Sequence, residues 1–468
     1  MRARLSILLT VILFVITGSR AAFAVGATTW ITTSGGTFDW NNTGNWSSGI
    51  LPSSISDTLI TNDLSSSQLI TNMGGPLVTA TGVISRISSL EMSNGLGSAA
   101  ITLIQAPGVA LVVSNGFQIG KNATLVIVTN ATFGTGASGS TLSFNLRAGG
   151  QAGTLVLSNA AANSGFSSFI NGSIVGSPTN GISNQGTIQF NPNGGQLTSI
   201  NYGQVGTLTN DALGTVVMNG TGTGAFIGNF GSGNRAFINS GSIFVSAGTL
   251  RIDSRDAFSR GGFQNSATGY VQVNSGGVLE LRRSANAWGN GPAVTNFGTI
   301  FMNGGTLVTF DTDGSGTTNK SRVIANVGTI QGTGKFIASI NSLSGSTVVP
   351  GMGNFGSLSV AGNVTLGSNS TLTIQLGLLA GQTDLLAVDS NLTLNASSIL
   401  NLSGGAVGNI YTVATALVVS GTFGSTTPGY TVLYDPTDIT VQFIPEPSTL
   451  LLVAFGLAGT VALRRRRA

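Results

Sequence analysis

The chain has 468 residues, only 7% of them charged against a usual ~25%, and it contains no cysteine and no histidine. These absences exclude disulfide frameworks, thiol nucleophiles, Ser-His-Asp triads and histidine-ligated zinc or haem. The net charge of +4 reflects the chain ends: without residues 1–24 and the tail from Arg464, 12 basic residues face 15 acidic ones, which gives −3, and we expect no nucleic-acid partner.

Residues 1–24 are predicted to be a secretory signal peptide with a helical apolar core. Arg2 and Arg4 supply the positive start, and an apolar run follows over residues 5–16. Ala22 and Ala24 give the small-x-small pattern at which signal peptides are cleaved. We therefore expect export, with the mature chain beginning after Ala24.

Residues 25–82 are predicted to be an aromatic-rich cap. The segment contains an aromatic cluster and resembles the opening segment of many secreted repeat proteins. The cluster consists of Trp30, Trp40, Asn45, Trp46, Gly49 and Pro52. A cap would cover the open edge of the first repeat, which otherwise invites aggregation. The alternative is a platform on which carbohydrate rings stack.

Residues 83–345 are organised by a repeated phrase, which is clear from residue 184 onward. Each phrase consists of Asn, one to three residues, Gly, a small or polar residue and then an aliphatic one. The phrases begin at Asn184, Asn210, Asn239, Asn265, Asn296, Asn326 and Asn354. A second phrase rich in Gly, such as Gly276-Gly277-Val278-Leu279, follows 10 to 14 residues later in most units. Glycine makes up 69 of the 468 residues.

This spacing predicts an all-β fold, a right-handed parallel β-helix. Periods of 20 to 50 residues indicate repeat architectures, and units rich in Gly, Thr, Asn and Val lack a helical apolar period. We expect an inward column of Ile188, Ile243, Ile300 and Ile330. The repeated asparagines would form a second column at the turns, tolerating left-handed backbone and bonding through their amides to the next coil. A β-propeller is the alternative, but its usual period is ~40–50 residues.

Two clusters of charge on the predicted coils are candidate sites. Arg251, Asp253, Arg255 and Asp256 form the densest cluster, and paired carboxylates could act there as acid and base. We favour a solvated loop with local ion pairs. Glu280, Arg282 and Arg283 lie on one strand, where alternation puts Glu280 and Arg282 on the same face as a surface pair.

Asp311 and Asp313 begin a segment that resembles a calcium loop. The segment Asp311-Thr312-Asp313-Gly314-Ser315-Gly316 has no third ligand pair and no distal glutamate, both of which the EF-hand pattern needs. A plain turn is the preferred interpretation. We expect no metal site, no cofactor and no catalytic residues.

Residues 346–443 resemble the C-terminal passenger region of autotransporter β-helices. The resemblance rests on Val349-Pro350-Gly351, on the segment from Gly356 to Asn363 and on Thr371-Leu372-Thr373-Ile374-Gln375-Leu376. It implies a β region that ends the helix. The outer-membrane barrel that follows in autotransporters is not present.

Residues 444–468 resemble a bacterial PEP-CTERM sorting signal. Pro445, Glu446 and Pro447 precede the apolar stretch 448–463, which is near the short limit for a single transmembrane helix. Arg464, Arg465, Arg466 and Arg467 follow and should stay cytoplasmic. The resemblance implies recognition by exosortase, an intramembrane cysteine transpeptidase-like enzyme that cuts near the motif. A plain C-terminal anchor is the alternative.

These features predict a non-enzymatic structural or adhesion-like protein of the extracellular matrix. The resemblance implies an exopolysaccharide-producing Gram-negative host, with the protein anchored in the inner membrane before processing and then placed at the cell surface or in the matrix. Matrix exopolysaccharide is its expected partner. The alternative is a β-helix polysaccharide lyase or glycosidase that would use Asp253, Asp256, Asp311 and Asp313.

Overall fold

The computed structural model is an all-β parallel solenoid. It describes the following residues: 28–32, 34, 36–52, 57–60, 68–72, 78–79, 82–92, 100–105, 109–120, 122–127, 132–135, 143–148, 153–159, 167–170, 182–194, 197–201, 207–227, 236–256, 262–285, 294–312, 318–320, 323–353 and 355–444. The predicted signal peptide and the predicted C-terminal helix lie outside this part. Within it, no helix has the length and apolar character needed to cross a membrane.

The strands follow one another closely, and a short 3-10 helix, Thr43–Asn45, lies after the second. The first half has β1 Thr28–Thr29, β2 Gly36–Asp39, β3 Asp57–Ile60, β4 Gln68–Asn72, β5 Val78–Thr79, β6 Gly82–Met92, β7 Ile101–Gln105, β8 Val109–Gly120, β9 Ala123–Ile127, β10 Thr132–Thr135, β11 Ser143–Ala148, β12 Thr154–Asn159, β13 Ser167–Ile170, β14 Ile182–Asn184, β15 Thr187–Pro192, β16 Leu197–Asn201, β17 Leu208–Asn210, β18 Thr215–Met218, β19 Thr223–Ile227, β20 Phe237–Asn239 and β21 Ser242–Val245. The second half has β22 Gly248–Asp256, β23 Phe263–Asn265, β24 Tyr270–Asn274, β25 Gly277–Ala285, β26 Val294–Asn296, β27 Thr299–Thr312, β28 Thr318–Lys320, β29 Val323–Asn326, β30 Thr329–Ile337, β31 Ser339–Ser342, β32 Thr347–Pro350, β33 Ser357–Val360, β34 Val364–Leu366, β35 Thr371–Leu376, β36 Leu385–Val388, β37 Asn391–Leu394, β38 Ile399–Gly404, β39 Ile410–Thr415, β40 Val418–Ser420, β41 Ser425–Thr426, β42 Tyr430–Tyr434 and β43 Asp438–Phe443.

Three parallel sheets wind around one core, and each turn contributes a strand to each sheet. Face A contains β14, β17, β20, β23, β26, β29, β31, β34, β37 and β40, which pair successively over nine turns. Face B follows it in each turn, for example through β15, β18 and β21. Face C comes third, for example through β16, β19 and β22. The same pairing extends back to β1 and β2. The parallel β-helix is therefore confirmed, while its right hand and the domain boundaries stay predictions.

The expected inward column is present on face B. Ile188 pairs with Val216, which pairs with Ile243, and the column continues through Val271, Ile300 and Ile330. All six side chains are fully buried. Alternation along each strand puts every second residue into this core, so the short apolar and polar alternation of the sequence is enough to specify it.

The asparagines form a buried ladder on the inner side of face A. In each step the side-chain Nδ2 of one asparagine donates to the Oδ1 of the next, over 2.7 to 2.8 Å. The ladder contains Asn184, Asn210, Asn239, Asn265, Asn296 and Asn326, all fully buried. The predicted column is confirmed, but these asparagines are the last residues of strands, in extended and not left-handed backbone.

The glycine of each phrase is required by close stacking. A Cβ at Gly298 would overlap the carbonyl oxygen of Gly269 one turn away, and Gly328 meets Gly298 in the same way. Neither has a positive φ, so these glycines are needed for close backbone approach and not for a turn dihedral. Other glycines do supply turn dihedrals: Gly248, Gly276 and Gly304 have φ angles of +60°, +82° and +82°.

The phrase at Asn354 is not the seventh member of the ladder. Asn326 donates instead to Ser342 Oγ, 3.3 Å away and only 16 residues further along the chain. The turn closes early because only Ala338 separates β30 on face C from β31 on face A, whereas residues 313–322 separate β27 from β29 in the preceding turn. Ser357 then lies on face C in β33. Asn354 itself lies outside the described residues. The phrase at Asn354 keeps the spacing of the earlier phrases, but the strand that follows it lies on face C and not on face B.

Antiparallel segments cover both ends of the solenoid. At the start, Ser47 N donates to Thr29 O over 2.8 Å and Ile31 N donates to Asn45 O over 2.9 Å, which covers the outer edge of β1. At the other end, β43 pairs antiparallel with β39 and β42. The edges of β1 and β39 are therefore paired and are not open to a strand of another chain.

Substituting Asn239 by Ala should destabilise the ladder locally. The change removes two buried hydrogen bonds and leaves Asn210 and Asn265 each without one amide partner, at a cost of about 1–3 kcal/mol for each orphaned group. Hydrogen exchange of the flanking strands in the full-length chain would measure the loss, because solenoids need not unfold in one step.

The matched control is Asn303→Ala. Asn303 also donates to an asparagine of the preceding turn, Asn274, over 2.9 Å, but this pair is exposed to solvent. Its loss should change stability by less than about 0.5 kcal/mol. Equal effects of the two substitutions would contradict the role given to the buried ladder.

Candidate functional site

The densest charges form a square on face C. Within β22, Arg251 Nη2 lies 2.6 Å from Asp253 Oδ2, and within β25, Arg282 Nη2 lies 2.6 Å from Glu280 Oε2. Strand register stacks Arg251 on Glu280 and Asp253 on Arg282. Each charge therefore has an opposite charge beside it along the strand and across to the next turn, the favourable arrangement for stacked strands.

The square corrects part of the sequence interpretation. Asp253 lies inside a strand and not in a solvated loop, because β22 extends from Gly248 to Asp256. The two expected ion pairs are confirmed. Arg282 also lies over the ring of Phe310 in the next turn, with its guanidinium carbon 5.1 Å from the ring centroid. The side chains of Arg255, Asp256 and Arg283 lie outside the described residues.

The calcium-loop candidate starts in a strand. Asp311 and Thr312 are the last residues of β27, which pairs antiparallel with β28. Asp313 and the rest of the connection, up to 317, lie outside the described residues. Asp311 is in register with Arg283, one position along from the pairing of Phe310 with Arg282. The backbone register thus places residue Asp311 two turns from Asp253, at a neighbouring position along face C.

The tryptophans near the N-terminus are enclosed. Trp30, Trp40 and Trp46 are 0–2% exposed and pack edge to face, with centroid distances of 4.9 and 4.8 Å. Trp30 Nε1 donates to Gln68 Oε1, and Trp46 Nε1 donates to the carbonyl of Trp40. Buried indoles offer no face to a sugar ring, so their placement favours the cap over the stacking platform.

A column of hydroxyl side chains runs along the outside of face B. Eleven successive strands place a hydroxyl residue at the same register position. The hydroxyl column contains Thr102, Thr124, Thr154, Thr187, Thr215, Ser242, Tyr270, Thr299, Thr329, Thr347 and Thr371. All are half-exposed. In the sequence, each of these hydroxyl residues comes directly before the buried aliphatic residue of its strand, and the column becomes recognisable only when the strands are aligned by register.

On three successive turns, aromatic and amide side chains lie beside the hydroxyl column on the outside of face B. Phe244, Tyr270 and Phe301 lie on three successive turns and are half-exposed. The rings of Phe244 and Tyr270 are 6.0 Å apart. Tyr270 Oη donates to Gln272 Oε1 over 3.0 Å, and Gln272 Nε2 donates to Asn274 Oδ1 over 2.8 Å. We call Phe244, Tyr270, Gln272 and Phe301 the aromatic patch. Burial raises the pKa of Tyr270, so its hydroxyl stays protonated at neutral pH.

Asp384 is a buried carboxylate that ties two segments together. It is 2% exposed, and its two oxygens accept hydrogen bonds from Gly356 N and Gln375 N, over 3.2 and 3.0 Å. Burial raises the pKa of Asp384, and the two backbone donors oppose this shift. Its role is structural, because it joins neighbouring turns near the C-terminal end.

The last described residues lead directly into the proline motif. Strand β43 ends at Phe443, and Ile444 N donates to Gly429 O over 2.8 Å. Pro445 follows at once. Residues 443–467 match the family model of the PEP-CTERM protein-sorting motif. The predicted resemblance is therefore confirmed, and no curated protein matches the chain in a sequence search.

The PEP-CTERM motif implies an exported protein that reaches the cell surface or matrix. It also implies recognition by an exosortase and membrane-anchored sorting in a Gram-negative bacterium. Its distinctive residues, Pro445 to Pro447 and the four arginines from Arg464, lie outside the described residues. The structure shows that the motif begins where β43, the strand that closes the solenoid, ends.

Reversing one corner of the charge square should weaken the contact between β22 and β25. Arg251→Glu places like charges beside Asp253 and Glu280, at a cost of about 1 kcal/mol for these partly exposed groups. The double variant with Glu280→Arg restores opposite charges between the strands and should recover part of the loss. Hydrogen exchange at low and high salt measures both, and an effect that salt does not reduce would contradict the electrostatic origin.

Asp384 should give the stability of the chain a specific pH dependence. Because the pKa of Asp384 is raised in the folded state, this carboxyl binds a proton more tightly in the folded chain than in the unfolded chain, where the ordinary aspartate pKa is 3.8. Its contribution is therefore full at lower pH and is lost as pH rises through the raised pKa.

Thermal melts of the wild type and of Asp384→Asn from pH 3.5 to 7 test this. The variant loses one backbone hydrogen bond at every pH, but it does not ionise. The advantage of the wild type should therefore be larger at pH 3.5 than at pH 7. The reverse trend would show that the hydrogen bonds outweigh the burial.

Proposed function

We propose that the protein is a non-enzymatic structural or adhesion-like component of the extracellular matrix that binds exopolysaccharide through face B. The chain would be exported by the signal peptide of residues 1–24 and anchored in the inner membrane. After an exosortase processes it, it would lie at the cell surface or in the matrix. The sorting motif supports this route.

The aromatic patch is the observation that carries the binding proposal. A sugar ring has an apolar C–H face and a rim of hydroxyls, so half-exposed aromatic rings beside amide and hydroxyl groups complement it. In this patch Phe244 and Phe301 flank Gln272 in one outward column, while Tyr270 lies beside them in the hydroxyl column. The donors and acceptors continue along the rod above and below the patch, which suits an extended polymer.

The charges on the neighbouring face support a binding role over the lyase or glycosidase alternative. Glycosidases need a pair of carboxyl groups that flank the scissile bond, one of them as an acid. Asp253 and Glu280 are each bound by an arginine of their own strand. No group of three or more potential metal-ligating side chains occurs among the described residues. The described side chains of face C therefore favour paired surface charges over a catalytic pair.

Removing the aromatic rings should weaken polysaccharide binding. Phe244→Ala with Phe301→Ala in the full-length chain should reduce retention on exopolysaccharide from the producing bacterium by about tenfold, which corresponds to about 1.4 kcal/mol. Co-sedimentation with the purified polymer measures this, and circular dichroism checks the fold.

Phe297→Ala is the matched control. Phe297 is also an exposed phenylalanine, 42% accessible, but it lies at the corner between faces A and B, outside the aromatic patch. Its variant should bind like the wild type. No retention of the wild type would remove the adhesion proposal, and equal losses for both variants would remove the role of the patch.

A further inference from the structure

The corner where the chain leaves the solenoid exposes apolar side chains. Leu378, Leu379, Val407, Ile410 and Ile444 are 77%, 64%, 63%, 55% and 46% exposed. We call these five residues the exit corner. Other apolar side chains of the described residues are exposed as well, but these five lie where the chain leaves the solenoid, and a group of exposed apolar residues can mark a contact surface.

Hydrogen bonds bring the members of the exit corner together. Leu378 and Leu379 lie in a loop after β35, and Asn409 Nδ2 from the following turn donates to the carbonyl of Leu378 over 3.3 Å. Next to it, Gly408 N donates to Phe443 O over 3.4 Å. Ile410 is in register with Gln442. Two corner loops and the end of β43 thus meet where the chain continues into the sorting motif.

Chain length fixes how far this corner can be from the membrane. Ile444 is held by its hydrogen bond to Gly429, and the apolar stretch begins at Ser448, four residues later. Four residues span at most about 14 Å when fully extended. When the apolar stretch is in the bilayer, the exit corner must lie at or close to the lipid headgroups.

The charge of this end of the chain decides which kind of membrane contact the exit corner can make. Between Lys335 and Arg464 the sequence has no basic residue, so this end cannot be attracted to anionic lipid. Exposed aliphatic side chains can instead enter the boundary between headgroups and acyl chains, as in proteins that lie on a membrane.

We infer that the exit corner rests on the lipid bilayer and holds the end of the solenoid against the membrane until the sorting motif is processed. This inference depends on the membrane anchoring that the motif implies and not on polysaccharide binding. The partner of the exit corner is a lipid surface, because the apolar stretch of the same chain brings this corner to the bilayer.

The absence of cysteine permits a direct test. The variants Val407→Cys and Leu379→Cys of the full-length chain can each carry a polarity-sensitive fluorophore, with Leu213→Cys as the matched control. Leu213 is 65% exposed and lies in the turn after β17, several turns from the exit corner. The labelled chains are reconstituted into phosphatidylcholine vesicles with and without a quencher attached to the lipid headgroups.

The inference predicts blue-shifted emission at positions 379 and 407, with quenching several-fold stronger than at position 213, unchanged by 0.5 M salt. Emission at 379 and 407 that matches position 213 would overturn it. So would a shift that appears only at high protein density, which indicates a second copy, or only when exosortase is added, which indicates a protein contact. Loss of polysaccharide binding would leave the result unaffected.

Discussion

Every other property of this structure depends on parallel, in-register stacking. Each residue faces its equivalent one turn away at about 4.8 Å, so a side chain is acceptable only if it tolerates a similar neighbour. Asparagine satisfies this condition inside the core, because its amide both donates and accepts. Threonine satisfies it outside, and glycine satisfies it where two backbones nearly touch. Like charges do not, and the charges that do stack alternate in sign at Arg251, Asp253, Glu280 and Arg282.

The ends of a stacked fold need a different solution, since a terminal strand has no neighbour beyond it. Both ends here change from parallel to antiparallel pairing, through residues 45–47 at the start and through β43 at the end. The tryptophan cluster fills the space under the first cap. Strand β43 of the second cap ends at Phe443, the first residue of the matched sorting motif, so folding of the body and presentation of the motif involve the same strand.

The sequence was informative wherever stacking repeats a residue type. The period, the parallel pairing, the isoleucine column and the asparagine ladder could all be predicted from phrases such as that at Asn239. The corners between faces could not be predicted, because a corner loop can be long or missing without any change in the strands that it connects. This is why the phrase at Asn354 was assigned to the wrong phase and Asp253 to a loop. The residues of the hydroxyl column are present in the sequence, but threonine is common on exposed strand positions. The column could be predicted only if the register between successive strands were known.

The ladder also has a direction, because every amide donates toward the C-terminus until Asn326 reaches Ser342. A whole turn removed from the middle leaves donors still facing acceptors, whereas a partial turn does not. A complete turn is therefore the unit that can be added or removed without breaking the ladder. The length of the solenoid can change in this way without a new fold and without altering the segments that cap its two ends.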